Sequence, residues 1–363
     1  MDRPWYKSFD FVLAGTCVLL ALAGIVFIHS ATLHEPSAYA EFKKQGIYLI
    51  IGTGVMALFA WIDYRMWRRY WTVLYIVNLL LLVFVMFKGQ SALGAQRWIA
   101  LGPFQFQPAE FSKLALAITI AALLAKGSFA RLTDLIEPVV MVLIPALLIL
   151  KQPDLGTTLV IVSILTGELF FGLPKLRHFA VYMTTLALAG GAIVKFALKP
   201  FQRDRLFVFL NPKIDPQGAG WNLNQSKIAV GSGELFGKGL FHGTQTQLNF
   251  VPEHSRDFIF TVIGEETGFI GALLLLMVYA AILYGGMRCA LAARDRFGFL
   301  LAVGIVAMLL FHVMVNVGMT IGIMPITGIP LPFMSYGGTA LITDFAAIGI
   351  MLNIRMQKDK LVF

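Results

Sequence analysis

The chain has 363 residues, of which 58% are hydrophobic and only 13% charged, and its mean hydropathy is +0.77. Soluble proteins carry about 25% charged residues, so the composition excludes a soluble globular enzyme and predicts a polytopic membrane protein. The net charge of +9 does not indicate a nucleic-acid partner, because the basic residues are dispersed among membrane flanks, where they suit anionic lipid.

Apolar runs near the ~20 residues needed to cross a bilayer occur at 11–30, 45–62, 70–87, 108–125, 135–151, 156–173, 178–197, 257–286, 298–320 and 336–354. They predict an all-α polytopic fold of about ten transmembrane helices, a single membrane domain over 1–363, with a large extracytoplasmic loop at 199–256 between spans 7 and 8. The first run is too long for a signal-peptide core and lacks a convincing cleavage site, so it reads as a retained span. With the N-terminus inside, fifteen Lys and Arg fall in inner segments against five in short outer loops. The positive-inside rule then makes both termini cytoplasmic and turns 199–256 outward. Cys17 and Cys289 sit in positions that do not suit a disulfide, and the six histidines show no metal-ligand spacing.

In chain order, the first polar element is KGQSALGAQRWIALGPFQFQP at 88–108. It is too short and too rich in Gly and Gln for a span, so it is expected to fold back as a short re-entrant or hairpin element against a cavity wall. Arg97 and Trp98 are its cavity candidates, with interfacial anchoring an equal reading for Trp98. QPAEFSK follows, in which Gln107 can cap a helix and Pro108 suits its first position. Glu110 and Lys113 then lie at i, i+3 on one face. A charge deep in a bilayer is costly, so the pair should face the interior, either fixing the packing or organising a cavity. In KQPDLGT (151–157), Pro153 and Gly156 break the helix and Asp154 can cap the next one. Glu168, Glu265, Glu266 and Asp344 are further acids in or near spans, and the sequence assigns them no role.

The 199–256 segment is too long for a plain connection. Its aromatics Phe207, Phe209, Trp221, Phe236, Phe241 and Phe250 are expected to bury apolar area on the bundle. Arg203, Arg205, Lys213, Lys227 and Lys238 make it a basic cap suited to an anionic ligand such as a pyrophosphate, or simply a solvated lid. GSGELFGKG (231–239) does not fit the Walker pattern, and short inner connections leave little room for a nucleotide-binding domain. VPEHSRDFIF (251–260) sets Asp257 where the polar segment gives way to a span, with Ser255 as an N-cap partner. Read locally, such an aspartate is more often a cap than a base. MPITGIPLPFMSYGG (324–338) carries no charge and reads as a defined turn packed in apolar surroundings, or as the lining of a lipid groove.

These stretches carry a resemblance. GAQRWI (94–99), FQPAEFSK (106–113), QPDLGT (152–157), the whole of 218–268 and GIPLPFMSYGG (328–338) resemble the SEDS family, the shape, elongation, division and sporulation proteins of bacteria. GKGLFHGTQTQLNFVPEHSRD is closest to the RodA branch, whereas PITGIPLPFMSYGG is nearer in wording to the division-specific FtsW branch. The resemblance implies a peptidoglycan glycosyltransferase that polymerises lipid II, a disaccharide-pentapeptide on undecaprenyl pyrophosphate, at the outer leaflet for rod-shape elongation. It implies that Asp257 is the general base for an inverting transfer, with Arg97, Arg203 and Lys227 balancing the leaving pyrophosphate. It also implies that Glu110 and Lys113 organise the cavity, and that a class B penicillin-binding protein and the elongation machinery are the partners. A divalent cation (Mg or Mn) is left open, with no ligand set readable. The alternatives are an FtsW-like division polymerase and a lipid II flippase, the latter suited by intramembrane acids and a broken helix but showing no inverted repeat.

Overall fold

Thirteen α-helices and one small sheet account for the residues that the computed structural model describes, namely 9–34, 38–92, 95–102, 104–196, 198, 200–212 and 215–359. Lys213 lies outside them. Seven helices lead in chain order: α1 (Phe11–Thr32), α2 (Ala38–Trp61), α3 (Tyr64–Lys88), α4 (Pro108–Lys126), α5 (Ile136–Lys151), α6 (Leu155–Gly172) and α7 (Leu176–Phe196). Three short ones follow, α8 (Pro200–Val208), α9 (Ala219–Ser232) and α10 (Thr244–Gln247), and then α11 (Ile259–Leu291), α12 (Arg296–Ile321) and α13 (Gly338–Met356). Among the described residues, ten helices are long and apolar enough to cross a membrane, α5 together with the 3-10 turn before it. The expected multi-pass helical architecture is therefore present.

Aspartates start several of these helices by accepting a backbone N–H that has no partner within the helix. Asp10 takes Leu13 N at 3.1 Å, Asp63 takes Arg65 N at 2.9 Å, Asp154 takes Thr157 N at 3.0 Å and Asp295 takes Gly298 N at 2.8 Å. Gln107 stands at the N-cap of α4 but makes no side-chain cap bond. Burial separates centre from margin: α4, α13 and α12 bury 89%, 78% and 72% of their apolar windows, while α7 buries 6%. A helix packed on all sides has no polar stripe to show, which is why the central spans read as uniformly apolar.

The expected hairpin at 88–108 is a three-stranded antiparallel sheet, β1 (Gln90–Ala92), β2 (Ala95–Leu101) and β3 (Phe104–Phe106), with Ile99 opposite Phe106. The helical class expected from the sequence holds, with this small sheet as the hairpin element. Strand pairing supplies backbone partners to a stretch too short and too Gly-rich for a helix.

The aromatics of the 199–256 segment do not form its core. Trp221, Phe236, Phe241 and Phe250 are exposed, while Val208, Leu223, Ala229, Val251 and Phe258 pack with Met319 and Ile326 at the end of α12. Ser226 Oγ on α9 fixes the join by donating to Thr320 O at 2.8 Å. Cys17 and Cys289 are both free and buried.

Helix α11 is broken at Gly268, whose backbone is φ 66, ψ −165. The turn 234–239 takes over its loose backbone groups. Phe269 N donates to Glu234 O at 2.9 Å and Ile270 N to Leu235 O at 3.1 Å, while Lys238 N and Gly239 N donate back to Glu265 O and Glu266 O, both at 3.0 Å. A Cβ on Gly268 would stand 2.3 Å from Gly237 N, so this approach of two backbones needs glycine.

Candidate active site

Asp257 does not cap α11. The helix begins at Ile259, the N-cap residue is Phe258, and that position makes no side-chain cap bond. The expected partner Ser255 instead uses its carbonyl to accept Tyr336 N at 2.9 Å. Half-buried, the Asp257 carboxylate has no hydrogen-bond donor among the described residues. It lies over Gly328, with Oδ2 3.1 Å from the point a Cβ there would occupy. Burial pushes this carboxyl up to about 6, with Glu253 and Asp154 adding to the rise and Arg256 and Arg205 opposing it. Tyr336 nearby is held at about 12, chiefly by burial.

Two guanidinium groups therefore act on Asp257. Arg256 also pairs with Glu253 at 3.3 Å and lies 5.7 Å from the Tyr336 ring centroid. Arg205 belongs to α8, two residues beyond the sequence candidate Arg203, whose guanidinium lies over the Phe207 ring at 5.7 Å. Positions i and i+2 of a helix face different ways, and nothing in the local sequence says which faces the site.

The other candidates divide into ties and bystanders. Arg97 on β2 donates through Nε to Gln152 O at 2.9 Å and through its terminal nitrogen to Pro153 O. It thus pins the turn between α5 and α6. Trp98 is half-buried on the same strand, opposite Gln90. Asp154 receives Thr157 N and Thr157 Oγ1, each at 3.0 Å, and Gln107 Nε2 at 3.3 Å. That makes it a cap and an anchor for the start of α4, and its charge still reaches Asp257. Lys227 is exposed, its stem lying against Gly322 at the end of α12.

Glu110 and Lys113 pair at 2.6 Å, with side chains 5% and 1% exposed. On the other side of the ammonium stands His312 Nε2 at 3.0 Å. Its Nδ1 faces Met308 O at 2.7 Å, so Nδ1 carries the proton and Nε2 offers the lone pair that accepts from Lys113. His312 is 199 residues away in sequence and gave no sign of this role. Glu265, unassigned from sequence, is held by Lys238 Nζ at 2.7 Å, Gln245 N at 2.9 Å and Thr246 N at 3.1 Å. It clamps the turn carrying 238–246 onto the top of α11.

Among the described residues, no group of three or more His, Cys, Asp or Glu side chains could hold a metal ion. The carboxylates that influence Asp257 are already engaged, Asp154 with Thr157 and Glu253 with Arg256. The described residues thus form no all-protein ligand set for Mg or Mn, and no step below is routed through one. A groove of about 460 Å³ runs between α2, α3, α4 and α13, lined by apolar side chains such as Ile51, Val55, Leu114 and Ile342, with Gln105 and Thr339 at one end. Thr339 Oγ1 bridges Gln105 O at 2.8 Å and Gln107 N at 3.3 Å, linking that end to the Gln107–Asp154 contact.

Among the described residues, ten apolar spans carry at one end a half-buried carboxylate with two arginines acting on it, an arrangement that suits a membrane-embedded enzyme. The model of the FtsW/RodA/SpoVE cell cycle proteins matches residues 11–360, and the chain belongs to that family, the SEDS proteins. Peptidoglycan glycosyltransferase MrdB of Escherichia coli K12 is 38% identical over 364 residues, covering 99% of this chain and 98% of the relative. Among solved structures, Thermus thermophilus rod shape determining protein RodA matches with a TM-score of 0.74 at 30% identity, over 98% of this chain and all of that one. A chain from a peptidoglycan synthase complex, described as coordinating polymerization and crosslinking, matches with a TM-score of 0.83 at 31% identity, over 97% and 99% of the two chains.

Proposed function

We propose that this chain is a peptidoglycan glycosyltransferase that polymerises lipid II for rod-shape elongation, with Asp257 as its general base. The observation that carries the mechanism is the Asp257 carboxylate itself: half-buried beside Gly328, without a donor among the described residues, and pushed by burial up to about 6. A base works best when its pKa lies near the working pH, because it is then ionised at rest yet able to hold the proton it takes. Asp257 removes the proton from the 4-hydroxyl of the acceptor sugar as that oxygen attacks the anomeric carbon of the donor. The bond from that carbon to the pyrophosphate breaks on the opposite face, and the electron pair leaves with the undecaprenyl pyrophosphate. Displacement at an α-linked centre gives a β-1,4 bond without a covalent enzyme intermediate.

The leaving group gathers negative charge that fixed cations must balance. Arg205 and Arg256 are better suited than Arg97, Arg203 and Lys227, because both act on Asp257 while Arg97 is committed to the 152–153 carbonyls. The apolar groove between α2, α3, α4 and α13 suits a polyprenyl tail, and its polar end leads through Gln107 to Asp154.

The cation asymmetry of the loops supports an orientation with both termini in the cytoplasm and Asp257 outside, where finished precursors are displayed. The chain carries no Ser-x-x-Lys acylation motif, so cross-linking falls to a class B penicillin-binding protein within the elongation machinery. The match to a chain of a synthase complex supports that division of labour. A flippase reading is less well supported, since the relatives are named peptidoglycan glycosyltransferases and Glu110 pairs with Lys113 inside the bundle. The test is polymerisation of purified lipid II by the purified chain with its partner. Asp257→Ala and Asp257→Asn should make no glycan while still binding the partner, and full activity in either ends the general-base assignment.

A further inference from the structure

We infer that Asn316 and Ser335 are positioning residues for Asp257, holding its backbone from the α12 side so that the carboxylate stands over Gly328. This rests on the general-base reading above. A base must be held to a fraction of an ångström to be useful, and a misplacement of 1 Å costs on the order of a hundredfold in rate. Asp257 is not part of a helix, since α11 starts two residues later, so something other than helical geometry must hold it.

Three consecutive carbonyls supply the grip. Ser255 O accepts Tyr336 N at 2.9 Å, Arg256 O accepts Ser335 Oγ at 2.6 Å, and Asp257 O accepts Asn316 Nδ2 at 2.8 Å. Carbonyls at an aqueous rim are satisfied by water at no cost, so backbone satisfaction alone does not call for three protein donors from distant elements. Each side-chain donor also fixes the opposing loop. Asn316 Nδ2 donates a second bond to Ile329 O at 2.8 Å, and Ser335 Oγ accepts Leu331 N at 2.8 Å. One amide nitrogen thereby sets the spacing between Asp257 and the residue after Gly328. Asn316 is fully buried, and its own amide oxygen finds no partner, so the side chain is present for what it donates.

Gly328 completes the device. With φ at +71 and a would-be Cβ 3.1 Å from Asp257 Oδ2, it leaves the space in which the carboxylate stays hydrated enough to ionise. Asn316 and Ser335 hold the base in place, and Gly328 keeps it from being sealed.

The two halves predict opposite signs in the pH dependence of lipid II polymerisation by the purified full chain with its partner. Asn316→Leu and Ser335→Ala loosen the grip. In each, kcat should fall by about tenfold or more with KM nearly unchanged, and the acid limb should move to lower pH as the freed carboxylate gains water. Ser335→Thr keeps the hydroxyl and should retain activity. Gly328→Ala crowds Oδ2 and should move the acid limb to higher pH. Because Asn316→Leu removes a buried amide, Ser335→Ala, which loses only a hydroxyl, serves where it folds poorly. Unchanged kcat and acid limb in a folded Asn316→Leu or Ser335→Ala would overturn this inference while leaving Asp257 as the base. Activity surviving in Asp257→Asn would instead sink the general-base reading.

Discussion

Replacing Lys113 with Met tests how the bundle tolerates charge. Lys113 lies 2.6 Å from Glu110 and 3.0 Å from His312, and both members of the ion pair are buried. Lys113→Met roughly conserves length and removes the cation, leaving a carboxylate at membrane depth with no opposite charge. Losing one partner of a buried pair costs about 3–5 kcal/mol. The companion Glu110→Gln/Lys113→Met removes both charges and should recover most of that loss, because replacing a buried pair by uncharged residues is often neutral. The assay is a double-mutant cycle on unfolding in detergent micelles. A Lys113→Met chain within about 1 kcal/mol of wild type, or a double variant no more stable than the single, would refute the reasoning. The first result would mean water reaches the pair, and the second that Lys113 serves His312 rather than Glu110.

Other expectations concern the site. Since Asp257 is held at about 6, polymerisation should fall as pH drops through that value and level off above it, which a rate profile would show. Stability should run the other way: a carboxyl raised from 3.8 in the fold contributes most below that value, and the contribution is lost as pH rises through about 6. Asp257→Asn should therefore be more thermostable than wild type at neutral pH but not near pH 3.8, and a pH-independent difference would count against it. Arg205→Ala should weaken turnover of lipid II by tenfold or more on the order of a lost charge contact, whereas Arg203→Ala should change it little; equal effects would remove Arg205 from the site. Asp154→Ala should destabilise the chain by about 0.5–2 kcal/mol through loss of a cap, with Asn at the same position, itself a good cap, restoring most of it in a thermal melt.

The spans were legible because crossing a bilayer demands a run of apolar residues whatever the neighbours. Glu110–Lys113 and the cap at Asp154 were legible for a similar reason, since each depends on spacings of three residues. The sequence lost sight of the site where contacts span long separations. His312 meets Lys113 from 199 residues away, and Asn316 meets Asp257 across 59. Neither leaves a periodic trace. Arg203 was preferred over Arg205 because nothing local orients α8. Asp257 itself was placed at a helix turn, yet the helix starts later and the residue is free of capping. The aromatics at 207–250 were expected inside because large apolar residues usually bury area, yet the small core chose Val208, Leu223 and Val251.

The brace around Asp257 also has a consequence for biogenesis. Its donors come from 59 residues downstream for Asn316 and 79 for Ser335 against Arg256. A nascent chain is made in order, N-terminal first, so the aspartate is synthesised before either donor. A stalled or truncated chain would carry the carboxylate without the frame that aims it. On the general-base reading proposed above, reactivity toward a lipid-linked precursor waits for the final two spans, and the order of synthesis separates insertion from chemistry.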